Sequence, residues 1–181
     1  TSTHNIQLGG TEGTTALDIS ATDLSSLKDG FSNITINNLA NTGTVTLNTG
    51  ITFNDPVNIA GGSTLVGTNS ATTWTLTGAN QGSLSGFANG LTFASIENLT
   101  GNDNIDKFIF SGGNLTGKID GQGGLDELDY SLLNTALSIT LSNTGTVDGF
   151  QGTEALISGG FDNINSLIGG TDNDTLVGNS N

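Results

Sequence analysis

Two loops rich in glycine and aspartate are the parts of this sequence best suited to chemistry. The first, GNDNIDKFI, covers residues 101–109, and the second, GQGGLDELD, covers residues 121–129. Their starts lie 20 residues apart, and each runs into a short stretch in which every second residue is apolar. Glycines can turn backbone carbonyl oxygens inward, and aspartate adds charge, which together suit a hard cation that takes six to eight oxygen ligands.

A third copy and a known nonapeptide pattern extend this prediction. GGTDNDTLV at residues 169–177 fits the calcium-binding repeat G-G-x-G-x-D-x-U-x, where U is a large apolar residue, except at the third glycine. The two earlier loops fit it less fully. The pattern therefore predicts a Ca²⁺ site; its alternative is that the aspartates are solvated turn residues that bind their own backbone. The predicted ligands are Asp103, Asp106, Asp126, Asp172 and Asp174.

Short strands must position these loops. Apolar residues alternate with polar ones in six segments, which is typical of β-strands with one buried face. The segments are ALDIS at 16–20, NITIN at 33–37, TVTLN at 44–48, TWTLT at 73–77, KFIFS at 107–111 and LSITLS at 137–142. Only residues 21–31 show a spacing that suits a short helix or a turn, with Thr22 or Asp23 as its N-cap.

Internal repeats decide between the all-β architectures. The pattern Phe-x-x-Ile-x-x-Leu starts at Phe93 and again at Phe161, and a weaker copy starts at Phe31. GSLSGF at 82–87 and GTVDGF at 145–150 form a second echo, so a unit of about 63 residues would hold three 20-residue coils. Repetition of this kind favours stacked coils that bury their apolar residues against like neighbours. We therefore predict one domain, 1–181, folded as a right-handed parallel β-solenoid (β-helix) of about nine coils, with a β-sandwich as the alternative.

The charge balance of the chain limits the kinds of partner that it is expected to bind. Seventeen acidic residues against three lysines and no arginine give a formal net charge of -14. Nucleic acid and anionic lipid are bound chiefly through Lys and Arg, so neither is an expected partner, and no apolar run predicts membrane insertion. Cysteine is absent, and the single histidine is His4, which leaves little for thiol or general-base catalysis.

The repeats also resemble a known class of protein. FASIENLTGNDN, GKIDGQGGLDELDYS and FDNINSLIGGTDNDTLVG look like repeats of large secreted bacterial surface proteins of the haemagglutinin and RTX-adhesin kind. LDISATDLSSLKDGFSNITI resembles a module that accompanies them, especially in cyanobacterial proteins. The resemblance implies an extracellular or cell-surface β-solenoid used for adhesion, sheaths or matrix. Extracellular polysaccharide is a further partner that we consider for such a protein.

These observations predict a non-enzymatic structural protein or adhesin segment. Both ends carry a similar Gly-Gly-Thr stretch without a polar cap, so we expect either head-to-tail self-association into a filament or the continuation of a longer solenoid. Two other functions stay open. One is a calcium-dependent carbohydrate-binding module, and the other is a polysaccharide-degrading β-helix enzyme that would use a carboxylate such as Asp126.

Overall fold

The protein folds as an all-β structure with two mixed sheets, neither of which closes into a barrel. A computed structural model describes residues 5–9, 16–27, 29–37 and 43–178. In the order in which they lie side by side, the ten strands of sheet A are β18 (Thr175–Val177), β14 (Ser138–Thr144), β15 (Phe150–Glu154), β16 (Ile157–Ile164), β12 (Ile119–Asp120), β10 (Asn98–Thr100), β6 (Thr64–Val66), β4 (Thr44–Leu47), β1 (Asn5–Leu8) and β2 (Ala16–Ile19). The eight strands of sheet B are β17 (Ser166–Ile168), β13 (Glu127–Asp129), β11 (Asp106–Phe110), β7 (Thr72–Gly78), β8 (Gln81–Leu84), β9 (Leu91–Ala94), β5 (Val57–Ala60) and β3 (Ile34–Asn37).

From β4 to β18 the chain passes repeatedly from one sheet to the other. Strands that are neighbours in a sheet therefore come from successive passes, and most of them pair in parallel. Three pairs have partners exactly one predicted coil apart: Thr44 with Thr64, Leu99 with Ile119, and Lys107 with Glu127. All six segments predicted from alternation lie on strands, namely β2, β3, β4, β7, β11 and β14.

Two antiparallel excursions interrupt the parallel pairing. In sheet B, β8 runs antiparallel to both β7 and β9, and in sheet A, β15 does the same between β14 and β16. Each excursion brings a glycine of its middle strand against a phenylalanine ring of the following strand, Gly82 against Phe93 and Gly152 against Phe161. A glycine is needed there because a Cβ would enter the ring. Gly82 and Gly152 are therefore structurally equivalent. The similar segments that begin at Gly82 and Gly145 do not occupy equivalent positions, because Gly82 lies in β8 whereas Gly145 lies in the turn before β15.

The Phe-x-x-Ile-x-x-Leu repeat marks a corner between the sheets. Phe93 lies on β9 of sheet B and Leu99 on β10 of sheet A, while the second copy runs from sheet A to sheet B. The residues two places after each phenylalanine, Ser95 and Asn163, have φ values of 57° and 56°. Non-glycine residues seldom adopt this left-handed conformation. Both copies of the pattern make this backbone turn, which explains why the same spacing of apolar residues occurs in each of them.

The core lies between the sheets and is continuous along the stack. Parallel register places aromatic residues of successive passes over one another. The rings of Trp74 and Phe108 stack at 5.6 Å, and those of Phe110 and Tyr130 at 4.6 Å. All four side chains are fully buried. Offset aromatic pairs at such distances add to the stability that burial supplies.

The described residues include one short helix, which lies between β2 and β3 in the chain. Helix α1 (Ala21–Ser26) begins after Ser20, whose side chain accepts a hydrogen bond from the backbone N–H of Asp23. The Asp23 carboxylate accepts one in return from the backbone N–H of Ser20, which completes a capping box. The helix predicted at this position is therefore present, but its N-cap is Ser20 and not Thr22 or Asp23.

Candidate functional site

Asp106 stands at the first position of β11 and is fully buried. Its Oδ2 accepts a hydrogen bond from the backbone N–H of Asn102 at 3.2 Å, which closes the loop on itself. Its Oδ1 accepts one from the indole Nε1–H of Trp74 at 3.3 Å. Both carboxylate oxygens therefore serve to hold the loop and the aromatic core in place.

Asp126 occupies the equivalent position in the next loop, and it is also fully buried. Its Oδ1 accepts a hydrogen bond from the backbone N–H of Asp106 at 2.8 Å, so the two loops are linked directly. Its Oδ2 is buried and has no hydrogen-bond partner among the residues that the structure describes. In the first loop, the backbone N–H of Asn102 donates to Asp106 Oδ2. The equivalent residue in the second loop is Gln122, whose backbone N–H donates to Asp120 Oδ1 at 3.2 Å and not to Asp126. Gln122 has a φ of 69°, in the left-handed region that non-glycine residues seldom adopt.

The structure brings Asp106 and Asp126 together but leaves Asp174 on the other sheet. The loops that end at Asp106 and Asp126 lead into sheet B, whereas Asp174 precedes β18 of sheet A. Asp174 repeats the same bonding pattern, because its Oδ2 accepts from the N–H of Gly170 at 2.7 Å and its Oδ1 from that of Leu137 at 2.9 Å. The sequence repeat therefore encodes a backbone-capping aspartate wherever it occurs.

The remaining two predicted ligands, Asp103 and Asp172, are exposed. Oδ1 of Asp172 accepts a hydrogen bond from the N–H of Asn173 at 2.8 Å, as is usual for an aspartate in a turn. Asp103 lies beside the next loop, where its Oδ1 is 3.6 Å from the position that a Cβ on Gly123 would occupy. Neither of these residues shares the buried environment of Asp106 and Asp126.

Burial changes the pKa values of Asp106 and Asp126. It raises the pKa of Asp106 from 3.8 to about 6, against the lowering effect of the hydrogen bonds from Trp74 and Asn102. Burial also raises the pKa of Asp126, and together with the nearby charges of Asp106, Asp148 and Asp120 it brings that pKa from 3.8 to about 7, against the lowering effect of the hydrogen bond from Asp106 N–H. Desolvation penalises the charged form of a carboxyl group, and an oxygen without a donor has nothing to offset that penalty. Asp126 therefore titrates near neutral pH.

Two residues that the sequence did not identify complete this environment. Asn163 is fully buried; its Oδ1 accepts from the N–H of Val147 at 2.7 Å, and its Nδ2 donates to Asp120 at 2.7 Å. Asp148 Oδ2 accepts from the N–H of Gly124 at 3.2 Å, while its Oδ1 is buried and has no partner within the described ranges. The recurrence of Phe-x-x-Ile at Phe93 and Phe161 could have pointed to Asn163, but Asp148 had no such signal.

Lys107 on β11 and Lys118, immediately before β12, bind acidic residues of neighbouring passes. Lys107 Nζ lies 2.8 Å from Glu127 and 2.6 Å from Asp129, and Lys118 Nζ lies 3.0 Å from Asp162. Burial of Asp129 acts to raise its pKa. Hydrogen bonds from Lys107 and Ser131 outweigh that effect and hold the pKa of Asp129 below its ordinary value. Asp126 and Asp129 therefore have separate partners.

The described residues contain no group of three or more His, Asp or Glu side chains placed to hold a metal ion. Nor does any helix in the described ranges have the length and apolar character needed to cross a membrane. The chain matched no protein-family model, no curated protein and no solved structure in the three comparisons.

Proposed function

We propose that this chain is a non-enzymatic structural or adhesin segment of the extracellular surface, built as a right-handed parallel β-solenoid rod. The observation that carries the proposal is the parallel register, which aligns Lys107 with Glu127 and Leu99 with Ile119 at the same 20-residue spacing. Each pass buries its apolar side chains only by stacking on the next, as expected of repeat proteins. The aspartate loops fit this role, because they cap and connect backbone from pass to pass.

Exposed strand edges support self-association as part of that role. Strand β18 is the last described strand at one edge of sheet A, and its Leu176 and Val177 are 60% and 47% exposed. Near the opposite edges, Leu17 on β2 is 62% exposed and Phe31, before β3, is 55% exposed. An open edge presents unpaired backbone groups to another chain, and joining unlike edges produces a filament rather than a closed ring. Head-to-tail stacking, or continuation within a longer array, would cover both edges.

Calcium is a separate proposal that centres on Asp126. Asp106 and Asp174 already use both carboxylate oxygens as hydrogen-bond acceptors, whereas Asp126 Oδ2 is without a donor. Ca²⁺ requires deprotonated oxygen ligands, so it would compete with the proton for this oxygen. Bound there, Ca²⁺ would neutralise charge between the loops and strengthen the stack.

An engineered disulfide tests the 20-residue coil on which the proposal rests. The chain has no cysteine, so Lys107→Cys combined with Glu127→Cys introduces the only two thiols. We expect rapid intrachain oxidation, because paired residues of adjacent strands lie within the Cα separation that a disulfide spans, about 4.4–6.8 Å. The readout is the fraction of monomer that loses both free thiols in native buffer.

The matched control pairs Lys107→Cys with Ser166→Cys. Ser166 is the partner of Glu127 on the far side, so it lies two strand spacings from Lys107, about 9.6 Å. This pair should stay reduced. Failure of the first pair to oxidise, or equal oxidation of both pairs, would contradict the stacked-coil architecture.

A further inference from the structure

One face of sheet B is free of charge, although the protein as a whole is strongly acidic. The adjacent strands β3, β5, β9, β8 and β7 contain no Asp, Glu, Lys or Arg, whereas the chain carries a formal net charge of -14. Asp106 on β11 is buried, so the charged side chains on the outer face of this sheet begin with Lys107 of β11 and continue on β13. The uncharged region is thus a continuous surface five strands wide.

Polar side chains form a row across this surface. Strand register aligns Thr35 with Asn58, Asn58 with Thr92, Thr92 with Ser83, and Ser83 with Thr75. The row lies on the outer face, because the residues that alternate with it are inward-facing, such as the buried Val57, Leu91 and Leu84. Neighbouring members stand about 4.8 Å apart, the distance between strands. The result is a hydroxyl and amide row about 19 Å long that crosses the strands.

A shallow cleft borders this row and shares Asn58 and Thr92 with it. It has a volume of about 230 Å³, and its lining includes Asn58, Thr77, Gln81 and Thr92. Oγ1 of Thr92 donates a hydrogen bond to Asn58 Oδ1 at 3.0 Å, which fixes these two side chains relative to each other. Hydroxyl and amide groups both donate and accept hydrogen bonds, so the cleft can match a ligand that carries many hydroxyl groups.

We propose that this face, centred on Thr92 and Ser83, binds a neutral polysaccharide chain that lies across the strands. A polymer of sugars offers hydroxyl groups at a regular repeat, which suits a row of regularly spaced donors and acceptors. Its lack of charge matches the lack of charge on the face, whereas anionic polysaccharides meet the repulsion of the whole acidic chain. The single tryptophan, Trp74, is buried against Asp106, so hydrogen bonds and not indole stacking hold the ligand.

This site goes beyond the structural role and does not depend on self-stacking. It also differs from the calcium-dependent sugar module considered from the sequence, because no acidic loop contributes to it. Thr92 and Ser83 lie on sheet B strands that are separate from the loops at 101–106 and 121–126. Binding should therefore persist in EDTA.

Sedimentation with insoluble polysaccharide tests the proposal. The protein is mixed in EDTA with microcrystalline cellulose, chitin or insoluble starch, and separately with calcium-free cross-linked alginate beads as the anionic probe. We expect co-sedimentation with at least one neutral polymer and none with alginate. Thr92→Lys and Ser83→Lys should each weaken that binding at least tenfold, because a long, strongly hydrated cation would occupy the centre of the row.

The control variant is Thr153→Lys, which adds the same charge at an exposed position on β15 of sheet A. It should bind as the unsubstituted protein does, and all three variants should keep its melting temperature. No binding to any of the three neutral polymers would overturn the proposal. The proposal would also be overturned if Thr153→Lys lost as much binding as the other variants, if Thr92→Lys bound as well as the unsubstituted protein, or if binding required Ca²⁺.

Discussion

Gly101→Ala is expected to lower the free energy of unfolding by about 2–3 kcal/mol, which corresponds to a fall of roughly 5–10 °C in Tm. A Cβ on Gly101 would lie 2.5 Å from the carbonyl oxygen of Gly121 and 2.6 Å from Asp106 Oδ2. Neither atom can move cheaply. The carbonyl belongs to the backbone of the next loop, and the Asp106 carboxylate is held by Asn102 and Trp74. The substitution would therefore force the stacked loops apart.

Gly123→Ala is the matched control for this prediction, because it makes the same chemical change in the neighbouring loop. A Cβ there would meet its nearest atom, Asp103 Oδ1, at 3.6 Å, which is ordinary van der Waals contact. We expect a change within about 0.5 kcal/mol. Thermal or urea unfolding of both variants measures the difference. If Gly101→Ala were as stable as Gly123→Ala, the close stacking of the two loops would be wrong.

Asp126→Asn is expected to stabilise the protein at pH 8 by on the order of 2 kcal/mol and to have little effect near pH 4. The folded state raises the pKa of Asp126 from 3.8 to about 7, so the folded state binds the proton more tightly than the unfolded state does. The stability contributed by protonated Asp126 is fully present below pH 3.8 and is lost as the pH rises through 7. Asparagine resembles the protonated acid and keeps an oxygen to accept from Asp106 N–H.

Unfolding by urea at several pH values between 4 and 8 checks this prediction. The gap between variant and unsubstituted protein should widen with pH over that window. Asp106 also has a raised pKa, about 6, and its charge is coupled to that of Asp126, so the difference between the two proteins reports the titration of Asp126 together with this coupling. A gap that does not change with pH would show that Asp126 is charged and solvated in the folded state.

The same pair of proteins tests the calcium proposal. At pH 8, millimolar Ca²⁺ should raise the Tm of the unsubstituted protein above its value in EDTA, because a ligand bound only by the folded state must stabilise it. Asp126→Asn should show no such rise. An unchanged Tm in the unsubstituted protein would remove calcium from the account and leave the pH prediction intact.

Alternation and spacing predicted the strands and part of the site. Val45 and Leu47, for example, are buried on β4 while Thr44 and Thr46 face outward, as the period of two required. The 20-residue spacing of the two loops placed Asp106 and Asp126 beside each other, and the hydrogen bond from Asp106 N–H to Asp126 confirms that placement. These features depend on local pattern and on repetition, which a sequence displays directly.

Other features depend on contacts that no local pattern encodes. The strands of the antiparallel excursions look like any others, so residues 72–94 gave no sign that β8 would pair antiparallel with both neighbours. Nor could the sequence show that Asp106 and Asp126 are fully buried, because aspartates in glycine-rich loops are commonly solvated. Their burial results from the turn at residues 145–149 and from Trp74, which approach from distant parts of the chain.

Imaging of the purified chain tests the structural role most directly. Negative-stain microscopy and sedimentation velocity, at increasing protein concentration with and without Ca²⁺, report whether copies join through their exposed edges. We predict rods or filaments one solenoid wide that lengthen with concentration, and their disruption by Leu176→Lys at the exposed β18 edge. A compact monomer at every concentration, unaffected by Leu176→Lys, would contradict head-to-tail self-stacking.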